Sequence, residues 1–580
     1  MDLQRLFLFL IFSFSLVLVW DGWQRYQNPH IQQSPTAGDQ QLKAQVPPNL
    51  GSGQGSGLTS STVPMAVGSK HTDSVPTLNA SPGQTAIAQQ QNQPATGKTI
   101  HVKTDFLEAE ISTLGGDINR LALLKHPDGQ DKSKPLVLFQ RGADTHNYYA
   151  QSGLLGAGLP NHNSLFVAEQ DRYELAGDAD RLQIRLKSEA AGALKVVKVI
   201  TFKRGSYLID IAYELENTGQ QAAMASSYFQ LLRDSVAPAG TSVFLPTYTG
   251  AAAYTEAEKF QKIDFATIEK GKTEYPKNPD NGWIGMLQHY FVAAWLLPET
   301  SNGVKTSREF FTRKLDGDAY AVGLITPVLV IDPGHKAAVS SSLYAGPAES
   351  KLDKIAPGLG LTVDYGWLTI LSAPLFWVMT LFYDWTQNWG IAIILLTVLI
   401  KLLFFPLSAA SYRSMAKMRV VAPKLEKIKQ QYGNDREQLN RAMMDLYKTE
   451  KINPLGGCLP VLIQIPVFIA LYWAILASVE LRYAPFFGWI SDLSVADPYY
   501  ILPLIMGASM IIQMQLNPKP PDPLQAKVMQ IMPIAFSVMF FFFPSGLVLY
   551  SIVNNILSIA QQWYITRAAE RESMGVVTKR

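Results

Sequence analysis

The sequence predicts a multi-domain membrane protein of two unlike parts: a large all-β sandwich on the periplasmic side, and an α-helical transmembrane bundle carrying a cytoplasmic helical hairpin. Three observations predict it. Apolar and polar residues alternate in short runs between residues 99 and 350, apolar residues gather into long unbroken runs beyond 386, and lysine and arginine crowd into one segment between two of those runs. A period of two marks half-buried strands, and apolar runs of about 18 residues mark spanning helices. At 580 residues, with 47% hydrophobic and 17% charged, the chain is too long and too uneven for one core.

At the start, the apolar run 6–20 follows Arg5 and is trailed by Trp20, Trp23 and Tyr26, with no small-residue cleavage site after it. Residues 1–27 are therefore expected to be an uncleaved N-terminal transmembrane anchor with an aromatic interface belt. Residues 28–98 are Gln, Ser, Gly, Pro and Thr, too few large apolar groups to offset the entropy of ordering, which predicts a flexible periplasmic linker.

In 99–350 the runs 181–187, 196–202 and 207–215 alternate cleanly, and turn sequences at 114–117, 217–219 and 332–334 separate them. An antiparallel sandwich is the economical reading. Residues 364–385 are apolar and aromatic but carry Pro374, which suits a helix lying at the outer membrane interface. Spans are expected at 386–407, 455–479, 499–516, 525–543 and 547–566, six in all with the anchor.

Residues 408–454 repeat apolar positions at spacings of three and four, Met415, Met418, Val421, Leu425, Ile428 and Tyr432. After Gly433 the pattern resumes with Leu439, Met443, Leu446 and Tyr447. That predicts an antiparallel helical hairpin, with the apolar stripe serving either mutual packing or docking of varied partners. Its outer face holds Arg413, Lys417, Arg419, Lys424 and Lys427, whereas the loop at 480–498 has Arg482 alone among basic residues. Positive charge stays inside, so the hairpin, the basic tail 567–580 and both chain ends are placed in the cytoplasm, and the β-domain in the periplasm.

The chemistry is defined partly by what is missing. Cys458 is a lone cysteine, so no intramolecular disulfide supports the exported domain. No histidine follows His335 and no carboxylate lies in the later spans, which removes a membrane metalloprotease, a Ser/His protease and the usual proton relay of a transporter. Net charge is +3, with no basic cluster interleaved with aromatics, so no specific nucleic acid is implied.

Lys401 is the clear charge inside a span. Either its stem snorkels to the inner headgroups or it faces a hydrated groove. Gln464, Gln513, Gln515, Asn554, Asn555, Gln561 and Gln562 could furnish such a groove or serve as interhelical glue. Thr397, one turn before Lys401, would share its face or bond its own helix. The histidines His101, His126, His146, His162 and His289 are scattered through the β-domain without a spaced acid/base set. No catalytic, cofactor-binding or metal-ligating residue is assigned; an envelope carbohydrate-binding enzyme and a structural scaffold stand as the alternatives.

Six segments then carry a likeness: Asp-Tyr-Gly-Trp-Leu at 364–368, Asn-Trp-Gly at 388–390, Ser-Met-Ala-Lys-Met at 414–418, Asn-Pro-Leu-Gly-Gly-Cys at 453–458, Asp-Pro-Tyr-Tyr-Ile-Leu-Pro at 497–503 and Phe-Pro-Ser-Gly-Leu at 543–547. In this order they resemble the YidC/Oxa/Alb family of membrane protein insertases, in its Gram-negative form with a large periplasmic domain. The resemblance implies a galactose-mutarotase-like supersandwich and a five-helix core from about residue 364. It also implies a mechanism without covalent chemistry, in which a cation in the second span sits in a hydrophilic groove closed to the periplasm. Lys401 matches that position, usually arginine; Thr397 and Tyr550 match other groove positions, while Ser551 stands where a relative has a second tyrosine. Contacts with a sliding client would fall near Leu459, Pro460, Ile463 and Pro466. Partners implied are nascent membrane proteins, the Sec translocon, a ribosome or targeting factor, and the phospholipid bilayer.

Overall fold

A computed structural model describes residues 97–577, apart from 130, 143–145, 190–191, 239–246, 298–305, 434, 451–458, 517–526, 528–530, 532–533 and 536. The expected anchor, nearly all of the expected linker and part of 525–543 lie outside the described residues.

Alternation produces a sandwich, as the pattern predicts. Arg181–Ser188, Leu194–Lys203 and Leu208–Asn217 are consecutive antiparallel neighbours in a nine-stranded sheet, and Leu208–Asn217 pairs on its other side with Lys336–Pro347. Ile209, Ile211, Tyr213 and Leu215 all point inward from that strand, the period-two consequence of a pleat with one dry face. Opposite lies a ten-stranded sheet centred on Ala223–Asp234, which pairs with Tyr148–Leu155 and Ala319–Ile325. The two sheets meet where Phe229 of one packs on Trp295 of the other, ring centroids 5.2 Å apart. Both rings are fully buried, and full burial of a large apolar side chain stabilises by about 1.5–3 kcal/mol.

Ala223–Asp234 has no clean alternation because its outer face is also covered, Tyr228 and Leu232 packing with Leu155, Phe311, Ala321 and Ile325. A strand buried on both faces reads as an apolar run rather than an alternating one.

Seven helices frame the other half among the described residues: α1 (Thr369–Thr386), α2 (Trp389–Leu403), α3 (Phe405–Tyr432), α4 (Arg436–Thr449), α5 (Leu459–Ala477), α6 (Ile501–Gln515) and α7 (Ser545–Val577). Three of the quoted motifs are joints between them. Asn388 caps α2 by accepting from the Ile391 N–H at 3.1 Å and donates to the Phe486 carbonyl at 3.2 Å. Trp389 stacks on Tyr383 of α1 at 4.2 Å. Gly390 leaves room for Phe486, whose ring would lie 2.0 Å from a Cβ there. Asp497 accepts from the Trp489 indole at 3.0 Å and from Tyr499 and Leu502 N–H groups at the start of α6. Ser545 and Gly546 open α7 by donating to the carbonyls of Val495 and Leu493.

Two expectations change. The stretch 386–407 is not one straight helix: α2 ends at Leu403, and α3 leaves it at 65°. Pro406 sits in the first turn of α3, where its missing N–H and its ring prevent α2 from continuing. The stretch 567–580 is not a separate tail either, since α7 runs without a break to Val577. Its residues Arg567-Ala-Ala-Glu-Arg-Glu are strong helix formers extending an existing helix, which needs no new nucleus.

α3 and α4 pack as a pair through Val421 and Leu425 against Met418, Met443, Leu446 and Tyr447, and Asp435 caps α4 by accepting from the N–H groups of Glu437 and Gln438. By length and composition, no single described helix is long and apolar enough to cross a membrane; the bent pair α2 and α3 passes together. Apolar side chains are nonetheless outward on the helical half, among them Ile370, Trp377, Leu381 and Trp385 along one face of α1, and Leu504 and Ile512 on α6.

The halves join through the segment after α5. Val479 is buried in the sandwich core, Tyr483 donates to the Asp128 carbonyl at 2.8 Å, and the His289 ring lies 3.1 Å from the Leu476 carbonyl in the last turn of α5.

Candidate functional site

α2, α3, α5 and α7 converge on a small cleft lined by Ile400, Lys401, Phe404, Leu407, Ser408, Gln464, Val467 and Asn554. The bend at Phe404 helps to open it. Were α2 to run straight on, Leu407 and Ser408 would continue along its axis; turned by 65°, they become a wall beside Lys401. Lys401 is half-buried and its ammonium donates to the Ser558 hydroxyl of α7 at 2.7 Å. Gln464 and Asn554 bring amides to the same space from α5 and α7. An ammonium has three donors, so the cleft offers a cation and two amides set among apolar walls. Such a set can offer charge and hydrogen bonding to an anionic or polar group.

Of the residues expected at the groove, Lys401, Gln464 and Asn554 meet here. Thr397 does not line this cleft. It is 0% exposed, and its hydroxyl donates to the Ile393 carbonyl at 2.7 Å, because one turn earlier α2 is packed through Ile393 and Leu396 into the helical core. Tyr550 is buried beside Phe468, centroids 6.4 Å apart. Ser551 bonds its own helix at Leu547. Gln513, half-buried on α6, lies away from the lining.

Pro466 is half-buried in α5; the backbone of Leu459, Pro460 and Ile463 belongs to the same helix, their side chains lying outside the described residues. Arg413, Lys417, Lys424 and Lys427 are exposed on α3 and Arg419 partly so, with Lys424 paired to Glu450 at 2.6 Å. Ser558 was missed. The available signal was its position four residues after Asn554, one turn along the same face of a helix.

A second buried lysine lies in the sandwich. Lys198, 1% exposed, donates to the Gly115 carbonyl at 2.8 Å and sits over the Tyr213 ring at 5.6 Å. Buried Asp117, which accepts from Gln151 at 2.7 Å, is its electrostatic partner. Burial pushes the Asp117 carboxyl up and the Lys198 ammonium down, each opposed by the other's charge.

The histidines of the β-domain are placed structurally rather than as a set. Burial lowers His126 to about 4, between Tyr207 and Phe291, and His289 to about 4, against α5. It lowers His162 to about 3, hydrogen-bonded to Tyr228. Among the described residues no three His, Cys, Asp or Glu side chains are grouped to hold a metal.

Comparison with known proteins agrees with this division. The YidC periplasmic domain family matches residues 99–378, and the 60Kd inner membrane protein family matches 381–572. The chain is 54% identical to the membrane protein insertase YidC of Nitrosospira multiformis over 98% of both proteins, and 50% identical to that of Methylobacillus flagellatus, again over 98% of both. Among solved structures it is similar to an active YidC insertase with its first transmembrane domain resolved, at 19% identity, a TM-score of 0.38, and coverage of 81% of this chain and 95% of that one. It is an inner membrane protein with a periplasmic domain, and its relatives are named as insertases rather than enzymes. The chain belongs to the YidC family of membrane protein insertases.

Proposed function

We propose that the cleft beside Lys401 is the groove through which this insertase receives the polar, translocated segment of a client and passes its apolar span into the inner membrane. One observation carries the reading: a cation and two amides from three different helices share one cleft whose other walls, Ser408 apart, are apolar. Hydrocarbon does not solvate such groups, so their convergence makes a polar foothold that shortens a client's path across the membrane. A carboxylate near the client's terminus is drawn by the ammonium as a point charge, without the bidentate geometry an arginine would supply. Burial of the client's own apolar span then drives release beside the groove.

In this reading both termini are cytoplasmic and the sandwich is periplasmic, with residues 1–27 as a further anchor and 28–98 as the tether. Client spans slide along α5 near Pro466. The basic face of α3, with Arg413, Lys417, Arg419, Lys424 and Lys427, docks a ribosome or targeting factor, and the protein works alone or beside the Sec translocon.

The test is insertion of a small single-span client into proteoliposomes holding the full-length protein. Lys401→Ala is expected to slow insertion of an acidic client about tenfold and Lys401→Arg to keep the wild-type rate. Full activity of folded Lys401→Ala would reject the charged groove.

A further inference from the structure

We infer that Ser558 is the positioning residue for Lys401, holding its ammonium at the cleft so that its remaining donors face a client carboxylate. The inference rests on the groove reading above and adds a residue to it.

Ser558 is 3% exposed and lies one turn beyond Asn554 on α7. Its hydroxyl donates to the Asn554 carbonyl at 2.8 Å. The oxygen accepts from Lys401, at the end of α2, at 2.7 Å, and the Ser558 side chain is also hydrogen-bonded with Tyr412 of α3. Among the described residues no carboxylate pairs with Lys401. A neutral acceptor suits this role better than an acidic one: an aspartate here would neutralise the cation, whereas a hydroxyl fixes it and leaves its charge available.

Fixing matters more for lysine than for arginine. The lysine stem is long and flexible, and a cation free to rotate toward the headgroups gives up more conformational freedom when a client binds. One anchored donor removes part of that loss and aims the rest of the group toward Gln464 and Asn554. The contact joins residues 157 apart in the chain, so it also ties α2 to α7 across the cleft.

The experiment uses full-length protein in proteoliposomes and two single-span clients. One has an acidic translocated segment; in the other those acids are replaced by their amides. Ser558→Ala, Ser558→Thr and Lys401→Ala are compared with wild type, each first shown to unfold at the wild-type temperature in detergent. Ser558→Ala is expected to slow insertion of the acidic client about fivefold, the size of one ordinary hydrogen bond, and to slow the neutral client less. Ser558→Thr restores the rate because it keeps the hydroxyl. Equal slowing of both clients, a threonine variant as slow as the alanine one, or an acidic client that slows with Lys401→Ala but not with Ser558→Ala would each overturn the positioning role. An acidic client unaffected by Lys401→Ala would instead reject the groove itself, and this inference with it.

Discussion

The sandwich encloses one lysine and the helical half partly buries another, and the two are answered differently. Around Lys198 the protein supplies a carbonyl, an aromatic face and the Asp117 charge, all fixed and enclosed. Around Lys401 it supplies one hydroxyl and an open cleft. A buried cation whose surroundings are complete is a structural element, because nothing further can approach it. One left short of partners beside a cleft is poised to bind something else. The difference lies in the number and enclosure of partners, and in burial with them.

The largest effect that would sharpen this contrast is on stability. Lys198→Ala leaves buried Asp117 with only the partly exposed Arg141, 3.5 Å away, and is expected to lower unfolding stability by about 3 kcal/mol, the low end for breaking a buried pair, read as a fall in the denaturation midpoint of the sandwich. Replacing both partners, Lys198→Met with Asp117→Leu, should recover much of the loss, since no orphaned charge remains. A Lys198→Ala protein as stable as wild type would erase the distinction between the two lysines. Lys401→Ala should do the reverse. It should slow insertion of an acidic client about tenfold, roughly the 1.4 kcal/mol expected for a charge-assisted contact, while the denaturation midpoint stays where it was.

A smaller effect concerns the joint between the regions. Glu480, just after α5, has its carboxyl raised to about 7 by burial and by nearby Glu349, against the opposing charge of Lys351. The folded protein therefore keeps a proton that the unfolded chain has released above about 4.5, so stability falls as pH rises from there to about 7 and is level outside that window. Glu480→Gln should flatten this part of the unfolding-temperature profile; an unchanged slope would place the titration elsewhere. The smallest effect belongs to the hairpin surface. Lys424→Ala removes the exposed pair with Glu450 and should change stability by less than about 1 kcal/mol, so any larger loss in ribosome binding would belong to docking rather than to folding.

Much of the candidate site was legible in the sequence because charge in an apolar run is rare enough to stand out. Lys401 could be picked by that rule alone, and Gln464 and Asn554 came with the other amides. Thr397 was drawn in by spacing on one helix, yet spacing says nothing about where a packed face ends and a cleft begins. Ser558 could not be separated from Ser551: both are serines on α7 that donate to the carbonyl four residues back, and only one also receives Lys401.

The sequence by itself determined the periods, and with them the strands and the helices, since those depend on residues a few positions apart. Tertiary structure alone decided which polar groups meet. The bend at Phe404 and the packing of α2 on α7 bring Lys401 to a serine 157 residues away, and no local pattern encodes the rotation of one helix against another.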